Sequence, residues 1–338
     1  MTKAITFGYL YDLRNPAQWH RPWVDLYAEA LEFISFTEGL GFEAAWVPEH
    51  HGAEDGYLPS PLVMLGAIAA RTKRMKIGSG IALAPFYHPV RFAEDCAILD
   101  ILANGRLQVG VALGYRRLET DAYGIDFRSR AGRMDEFLGI VRRLWAGETV
   151  SCEGRHFNLK NAFIKPRSPR GQIPLFVGGF SGKALERAAR YGDGYFGNLE
   201  LSELYREKLR ATGKNPLTGR LYLQSIFLVV AKDPEKAMNE LAPYYHHVNN
   251  VYGQWLSEEK MGIQVDEAPQ TMTLEQFKSA GMLRILTPDQ AIALFKTMRA
   301  QAPLEHVMLM VPPGFPLSKF AQYAEVLARE VMPALRDL

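Results

Sequence analysis

Glu49, His50 and His51 close the segment AAWVPEHHG, a short apolar run that ends in proline and then in three side chains able to move protons or bind a cation. Three roles suit such a triplet: metal ligation, acid–base work, or satisfying the backbone of a loop. A metal needs converging ligands, usually three or more. The remaining histidines, His20, His88, His156, His246, His247 and His306, form no HxH or HExxH spacing. Adjacent side chains on an extended segment also point apart. The residues therefore argue against a metal and leave the other two roles open.

A second constellation is GGFSGKALERAARYGDGYFGN, residues 178–198. Gly178 and Gly179 end an apolar run, and Ser181 and Gly182 open a helical pattern. The first N–H groups of a helix are unpaired donors, and the helix dipole favours an anion there. The Ser181 hydroxyl and the Lys183 ammonium add to that field, so the segment describes a phosphate cradle. A serine at a helix N-cap also serves capping alone.

These residues need elements to place them. Apolar runs at 5–11, 44–49, 75–83, 106–113, 173–179, 194–198, 221–231 and 305–311 have strand composition. Helical patterns at 24–39, 61–72, 90–103, 133–147, 183–192, 202–213 and 318–332 fall between or after them. Eight strand–helix units predict an α/β fold of the (β/α)8 TIM-barrel class. Near-continuous apolar strands agree, because parallel strands are covered on both faces. No GxGxxG follows the first strand, which argues against an open dinucleotide-binding sheet. One domain is expected over 1–338, with an insertion at about 240–285 between strands seven and eight. That segment exceeds a normal connection and holds YYHHVNNVYGQW and TMTLEQFKSAGM. It reads as an extended helix plus a lid over the barrel mouth, or as an excursion completing a dimer contact.

Active sites of such barrels are built at the C-terminal strand ends. That rule selects Tyr9, Tyr11, Glu49, His50, His51, Gly80 to Ala82, Ala112 to Tyr115, Gly178 to Ser181, and Asn198. Bland roles are assigned elsewhere: Arg106 anchors the loop before strand four, and Glu94 with Arg133 forms a structural ion pair. Trp255, Met272 and Met282 either line a pocket under the lid or simply pack, and Arg284 reaches the mouth from the lid's end.

Composition narrows the function classes. The 338 residues are 48% hydrophobic and 22% charged, with a formal charge of +2. That balance predicts neither a nucleic-acid footprint nor strong membrane attraction. No apolar run approaches the 18 residues of a membrane span, and no leader pattern is present, so a cytoplasmic protein is expected. The two cysteines, Cys96 and Cys152, make no disulfide framework.

The stretches GFEAAWVPEHHG, HPVRFAEDCAILDILANGRLQVGVALGY, SRAGRMDEFLGIVRRLW, PLFVGGFSGKALERAARYGDGYF and LTPDQAIALF, in this order, resemble the bacterial luciferase-like flavin monooxygenases. The resemblance implies FMN at the barrel mouth, reduced by a separate flavin reductase. It also implies a homodimer and oxidation of an organic substrate through a flavin C4a-(hydro)peroxide. His50 matches the family's catalytic histidine, with Glu49 orienting or tuning it. Gly178, Gly179, Ser181 and Gly182 match the phosphate loop. Gly80, Ile81 and Ala82 match the strand-three bend beside the isoalloxazine, where the family often has a non-prolyl cis peptide, and Gly114 and Tyr115 follow strand four. Two positions depart from the pattern. Ala112 replaces a reactive cysteine, which argues against light emission, and Leu113 replaces a phosphate-binding arginine. Arg116, Arg117 or Lys183 is expected to supply the missing charge. Related classes keep two alternatives in view: an F420-dependent oxidoreductase working by hydride transfer, and a flavin-binding protein without catalysis.

Overall fold

The computed structural model describes residues 4–216, 219–259 and 270–336. Eight parallel strands close a barrel: β1 (Thr6–Leu10), β2 (Ala44–Val47), β3 (Lys76–Leu83), β4 (Leu107–Ala112), β5 (Leu175–Gly178), β6 (Gly194–Gly197), β7 (Leu221–Ile226) and β8 (Leu304–Met310). Each strand pairs with its neighbours in sequence, and β8 closes the ring on β1, Thr6 opposite His306. The helices are α1 (Trp23–Leu40), α2 (Pro61–Arg71), α3 (Pro89–Leu102), α4 (Arg117–Ala122), α5 (Arg130–Ala146), α6 (Gly182–Tyr191), α7 (Ser202–Ala211), α8 (Pro234–Glu258), α9 (Leu274–Ser279), α10 (Pro288–Gln301) and α11 (Leu317–Val326). This is the TIM barrel that the alternating pattern predicts.

The barrel interior is filled by rings. Trp46 of β2 is fully buried and meets Phe196, Tyr222 and His306 edge-on or tilted, with centroids 5.1 to 5.8 Å apart. Such pairs add roughly 0.5–1.5 kcal/mol each beyond area burial. Gly78 makes this packing possible, because a Cβ there would lie 2.3 Å from the indole.

Local signals set the boundaries. Gly147 adopts φ 89° and stops α5 in the left-handed region, which a side chain rarely enters. Thr287 and Gln290 form a capping box that starts α10 within LTPDQ.

The structure corrects three readings. The long seventh strand is two: β7 stays in the barrel, while Leu228–Val230 pairs with Arg284–Leu286 outside it. The switch falls at Phe227, whose carbonyl accepts from the Arg284 N–H at 2.9 Å. The segment between α5 and β5, to which the sequence patterns assign no element, holds an antiparallel hairpin, Val150–Glu153 with Asn158–Ala162. Arg133 donates to the Pro85 carbonyl at 2.7 Å and lies over Phe157, and no ion pair joins it to Glu94 among the described residues. Arg106 does anchor its loop, bonding Thr72, Met75 and Ala69.

Of the insertion at about 240–285, residues 260–269 lie outside the described residues. The rest is the 25-residue α8, the short α9 and the outer strand. Asp233 caps α8 through the Lys236 N–H, and Pro234 occupies its first turn. None of the described helices is long and apolar enough to cross a membrane.

Candidate active site

β2 delivers Glu49, His50 and His51 to the C-terminal mouth, and the two histidines turn to different acids. His50 Nδ1 lies 2.8 Å from Glu119 Oε1. His51 Nε2 lies 2.9 Å from Glu49 Oε1. Glu49 thus does not orient His50. Its second oxygen accepts from the Leu83 N–H at 2.7 Å and the Tyr87 hydroxyl at 2.9 Å, tying the end of β3 to the loop after β2. Burial raises the Glu49 pKa, against the pull of His51, Leu83 N–H and Tyr87.

Glu119, on the six-residue α4, is the partner that the sequence reading missed. It is fully buried, and Oε1 also accepts from the His51 N–H at 2.9 Å and faces Arg116 at 3.4 Å. Burial acts to raise its pKa, but His50, the His51 N–H and Arg116 outweigh that and hold it below the usual value. Glu119 is therefore an ionised acceptor, so His50 Nδ1 carries the proton and Nε2 keeps its lone pair. Burial depresses the His50 pKa; Glu119 pulls it up, and Arg14 and Arg116 push it down again. A tenth of the side-chain surface stays accessible. A neutral, oriented imidazole with a free Nε2 has the lone pair needed to accept a proton.

A signal for Glu119 was present. Arg116, Glu119 and Thr120 are spaced i, i+3, i+4, and all three are buried while Arg117, Leu118 and Asp121 are exposed. The flanking charges break up its apolar pattern, and no helix is assigned there from the sequence.

Around His50 stand Tyr57, Trp255, Tyr115 and Tyr252, with ring centroids at 4.8, 5.1, 5.7 and 6.0 Å. Tyr252 and Trp255 come from the far half of α8. Trp255 is buried and faces two cations, Arg116 at 3.9 Å and Arg14 at 5.2 Å. Arg116 donates to the His51 carbonyl at 2.7 Å. It is therefore committed to the His50 network rather than to a phosphate. Met272 is held through its backbone by Asn250 and His246, and Met272 and Met282 both pack against the core. Arg284 lies on the outer strand, away from β1–β8.

The β3 bend carries a cis peptide between Gly80 and Ile81. The pairing of β3 with β4 slips between Ser79 and Ala82. The Ile81 side chain reaches across to β4 and β5: a Cβ on Gly110 or Gly178 would lie 2.6 Å from it. Ala82 is buried, while Gly114, at φ 72°, and Tyr115 line the turn after β4.

At the end of β5, Gly179 has φ 136°, and a Cβ there would lie 2.8 Å from Ala184. Ser181 caps α6, its Oγ accepting from the Ala184 N–H at 3.3 Å. A Cβ on Gly182 would meet nothing within 4 Å. The α6 terminus is thus a bare backbone cradle with free first-turn donors, which fits a flavin phosphate. Lys183 stands on its first turn, largely exposed and 3.0 Å from Glu186. Arg117 pairs with Glu259 at 3.6 Å and lies over Phe127. Asn198 bonds Glu200 at 3.1 Å.

Tyr9 and Tyr11 are not at the mouth. Tyr9 packs on Phe42 and Phe320, and Tyr11 reaches Thr37 of α1. Strand alternation sends both outward into the strand–helix layer.

This chain matches the family model described as luciferase-like monooxygenase over residues 5–304, and it belongs to that family. It is 33% identical to the F420-dependent glucose-6-phosphate dehydrogenase of Microbacterium testaceum, over 54% of this chain and 56% of that one, so the match spans about half of that relative. It is 24% identical to the oxygenase component of the flavin-dependent trigonelline monooxygenase of Acinetobacter baylyi, over 92% of this chain and 91% of that one. Among solved structures, monooxygenase RslO1 from Streptomyces bottropensis superposes with a TM-score of 0.83 at 25% identity, covering 97% of this chain and 99% of that one. The chain is therefore a member of a luciferase-like oxidoreductase family whose relatives include flavin-dependent monooxygenases and F420-dependent dehydrogenases.

Proposed function

We propose that this protein is an FMN-dependent monooxygenase that uses reduced flavin and O2 to oxidise a small or medium organic substrate. The observation that carries this reading is the likeness to a monooxygenase across almost the full length of both chains, and the full-length relationship to an oxygenase component agrees with it.

Gly178, Gly179, Ser181 and Gly182 would hold the flavin phosphate at the α6 terminus. Gly80, Ile81 and Ala82, with Gly114 and Tyr115, would bracket the ring. Bound there, reduced flavin supplies the activation of O2. His50 accepts or returns a proton at Nε2, held in one tautomer by Glu119. Glu49 acts indirectly, fixing His51 and the end of β3. Tyr252 and Trp255 of α8 exclude water above His50, which is the work of a lid. Lys183 is the cation best placed to replace the arginine missing at Leu113, because it alone of the three candidates stands on α6.

A separate flavin reductase supplies the reduced cofactor, and the protein works in the cytoplasm without nucleic acid or membrane. A homodimer is supported by Val63 of α2 and Ile98, Ile101 and Leu102 of α3, which expose apolar surface on the outside of the barrel.

The 33% identity to an F420-dependent dehydrogenase supports a second reading, hydride transfer to or from F420. A non-catalytic flavin-binding protein is disfavoured by the oriented His50. Rapid mixing of the protein with reduced FMN in aerated buffer separates the readings. A transient near-UV band distinct from reduced and oxidised FMN is expected. Absence of that band together with tight F420 binding rejects the monooxygenase reading.

A further inference from the structure

Arg14 lies beside His50 and has no part in the reading above. It follows β1 and is fully buried. Its Nε bonds Asp12 at 3.2 Å, and its Nη1 bonds Asp55 at 2.7 Å. Its guanidinium faces Tyr57 at 4.3 Å and Tyr252 and Trp255 at 5.2 Å. These are three of the rings that surround His50. Nη2, by contrast, is sealed from solvent and makes no hydrogen bond of good geometry, although the guanidinium and the Tyr252 hydroxyl interact.

It is not alone. The Tyr115 hydroxyl and Glu119 Oε2 are also buried without partners, and both residues border His50. Buried polar atoms are nearly always paired, and an unpaired one costs about 1–3 kcal/mol. Three such atoms around one imidazole mark a place built for a polar ligand. Their polarity is divided. Arg14 Nη2 and the Tyr115 hydroxyl can donate, whereas Glu119 Oε2, His50 Nε2 and Asp55 Oδ1, also buried without a partner beside Arg14, accept. An anionic group is drawn to the donors and repelled by the acceptors.

We propose that Arg14 and Tyr115 are specificity-determining residues that bind the carboxylate of a planar, largely apolar substrate, and so aim its other end at His50. One guanidinium nitrogen and one hydroxyl match the two oxygens of a carboxylate. A phosphate dianion fits worse, because Asp12 and Asp55 already share the Arg14 charge. Asp55 is held down to about 2 despite its burial, by His247 and Arg14, and so stays ionised. Tyr57, Tyr252 and Trp255 supply flat apolar faces for the body of the molecule.

This inference rests on the proposed mouth site, but its test separates the two. Isothermal titration calorimetry of the full chain, with and without oxidised FMN, would compare benzoate, cinnamate and phenylacetate with their neutral amides. At least one carboxylate is expected to bind about tenfold more tightly than its amide. Tyr115→Phe and Arg14→Lys are each expected to remove about tenfold of that affinity, the usual loss for one charge-assisted bond. Tyr115→Phe removes only an unpaired hydroxyl, so it decides the matter if Arg14→Lys does not fold. Amides that bind as well as the acids, no binding by any of the three acids, or a Tyr115→Phe variant with unchanged affinity overturns the proposal. FMN binding without carboxylate preference leaves the monooxygenase reading standing and this inference rejected. Carboxylate binding that depends on Tyr115, in a protein that shows no transient flavin band, does the reverse.

Discussion

Two buried histidines sit at opposite ends of the same barrel. His306, at the start of β8, accepts from Trp46 Nε1 at 2.9 Å through Nε2, so its Nδ1 carries the proton and donates to Thr6 Oγ1 at 2.7 Å. The Thr6 hydroxyl in turn donates to the Glu305 carbonyl at 3.0 Å. Both nitrogens are thus satisfied by neutral groups. Burial, with Lys76 and Arg220 nearby, drops the His306 pKa to about 3. His50 has an ionised acid on one nitrogen and no hydrogen-bond partner on the other among the described residues. Both rings are neutral and both have Nδ1 protonated. The difference is that His306 bonds the fold through both nitrogens, whereas His50 leaves Nε2, the nitrogen proposed to move a proton, without a partner.

The largest expected effects test that contrast at the mouth. His50→Ala should lower turnover of the folded fraction by roughly 10²–10⁴-fold, with some loss of thermal midpoint because buried Glu119 loses its imidazole partner. Turnover equal to wild type removes the proton role. Glu119→Gln should cost a similar ~10²–10⁴ in kcat, since an amide can present N–H to Nδ1 and reverse the tautomer. It should also shift the acidic limb of the pH–rate profile to lower pH, because the charge that raises the His50 pKa is lost.

At the floor the expected signature inverts. His306→Ala should lose about 2–5 kcal/mol of stability in urea titrations, from the cavity and the unpaired Trp46 N–H, with per-molecule turnover of the folded fraction unchanged. A drop in kcat larger than a few-fold would collapse the distinction. pH sharpens it further. A histidine whose folded pKa is depressed leaves the unfolded chain binding the extra proton. The stability it contributes is complete above the ordinary value of 6.5 and is lost as pH falls toward about 3. Replacing His306 by Leu should flatten urea-unfolding free energies across that window relative to wild type.

The smallest effect concerns the cradle. Lys183→Ala should weaken FMN binding roughly two- to tenfold by fluorescence titration, since the ammonium is exposed and screened. Unchanged affinity moves the missing charge elsewhere.

Different parts of this molecule were legible to different degrees. The eight units, the mouth position of EHH and the α6 cradle follow from periods of apolar residues and from glycines at strand ends, both local properties. Tyr9 and Tyr11 stand at a strand end, but the alternation of side chains, and not position along the strand, turns both toward the helices. The assignment of Glu49 to His50 failed for a related reason: alternation separates neighbours, and Glu49 shares a face with His51 two residues on. Glu119, 69 residues from His50, and Arg14, enclosed by rings from α8, are products of chain closure.

The sequence by itself determined the barrel, its family and the strand-end face on which the candidate site lies, because short-range patterns fix strands, helices and their order. Only the tertiary structure decided which acid holds which histidine, that His50 keeps Nε2 free, and that a buried arginine with one unpaired nitrogen stands next to it. Those facts depend on distances between residues far apart in the chain, and desolvation at such contacts sets the protonation states on which the chemistry turns.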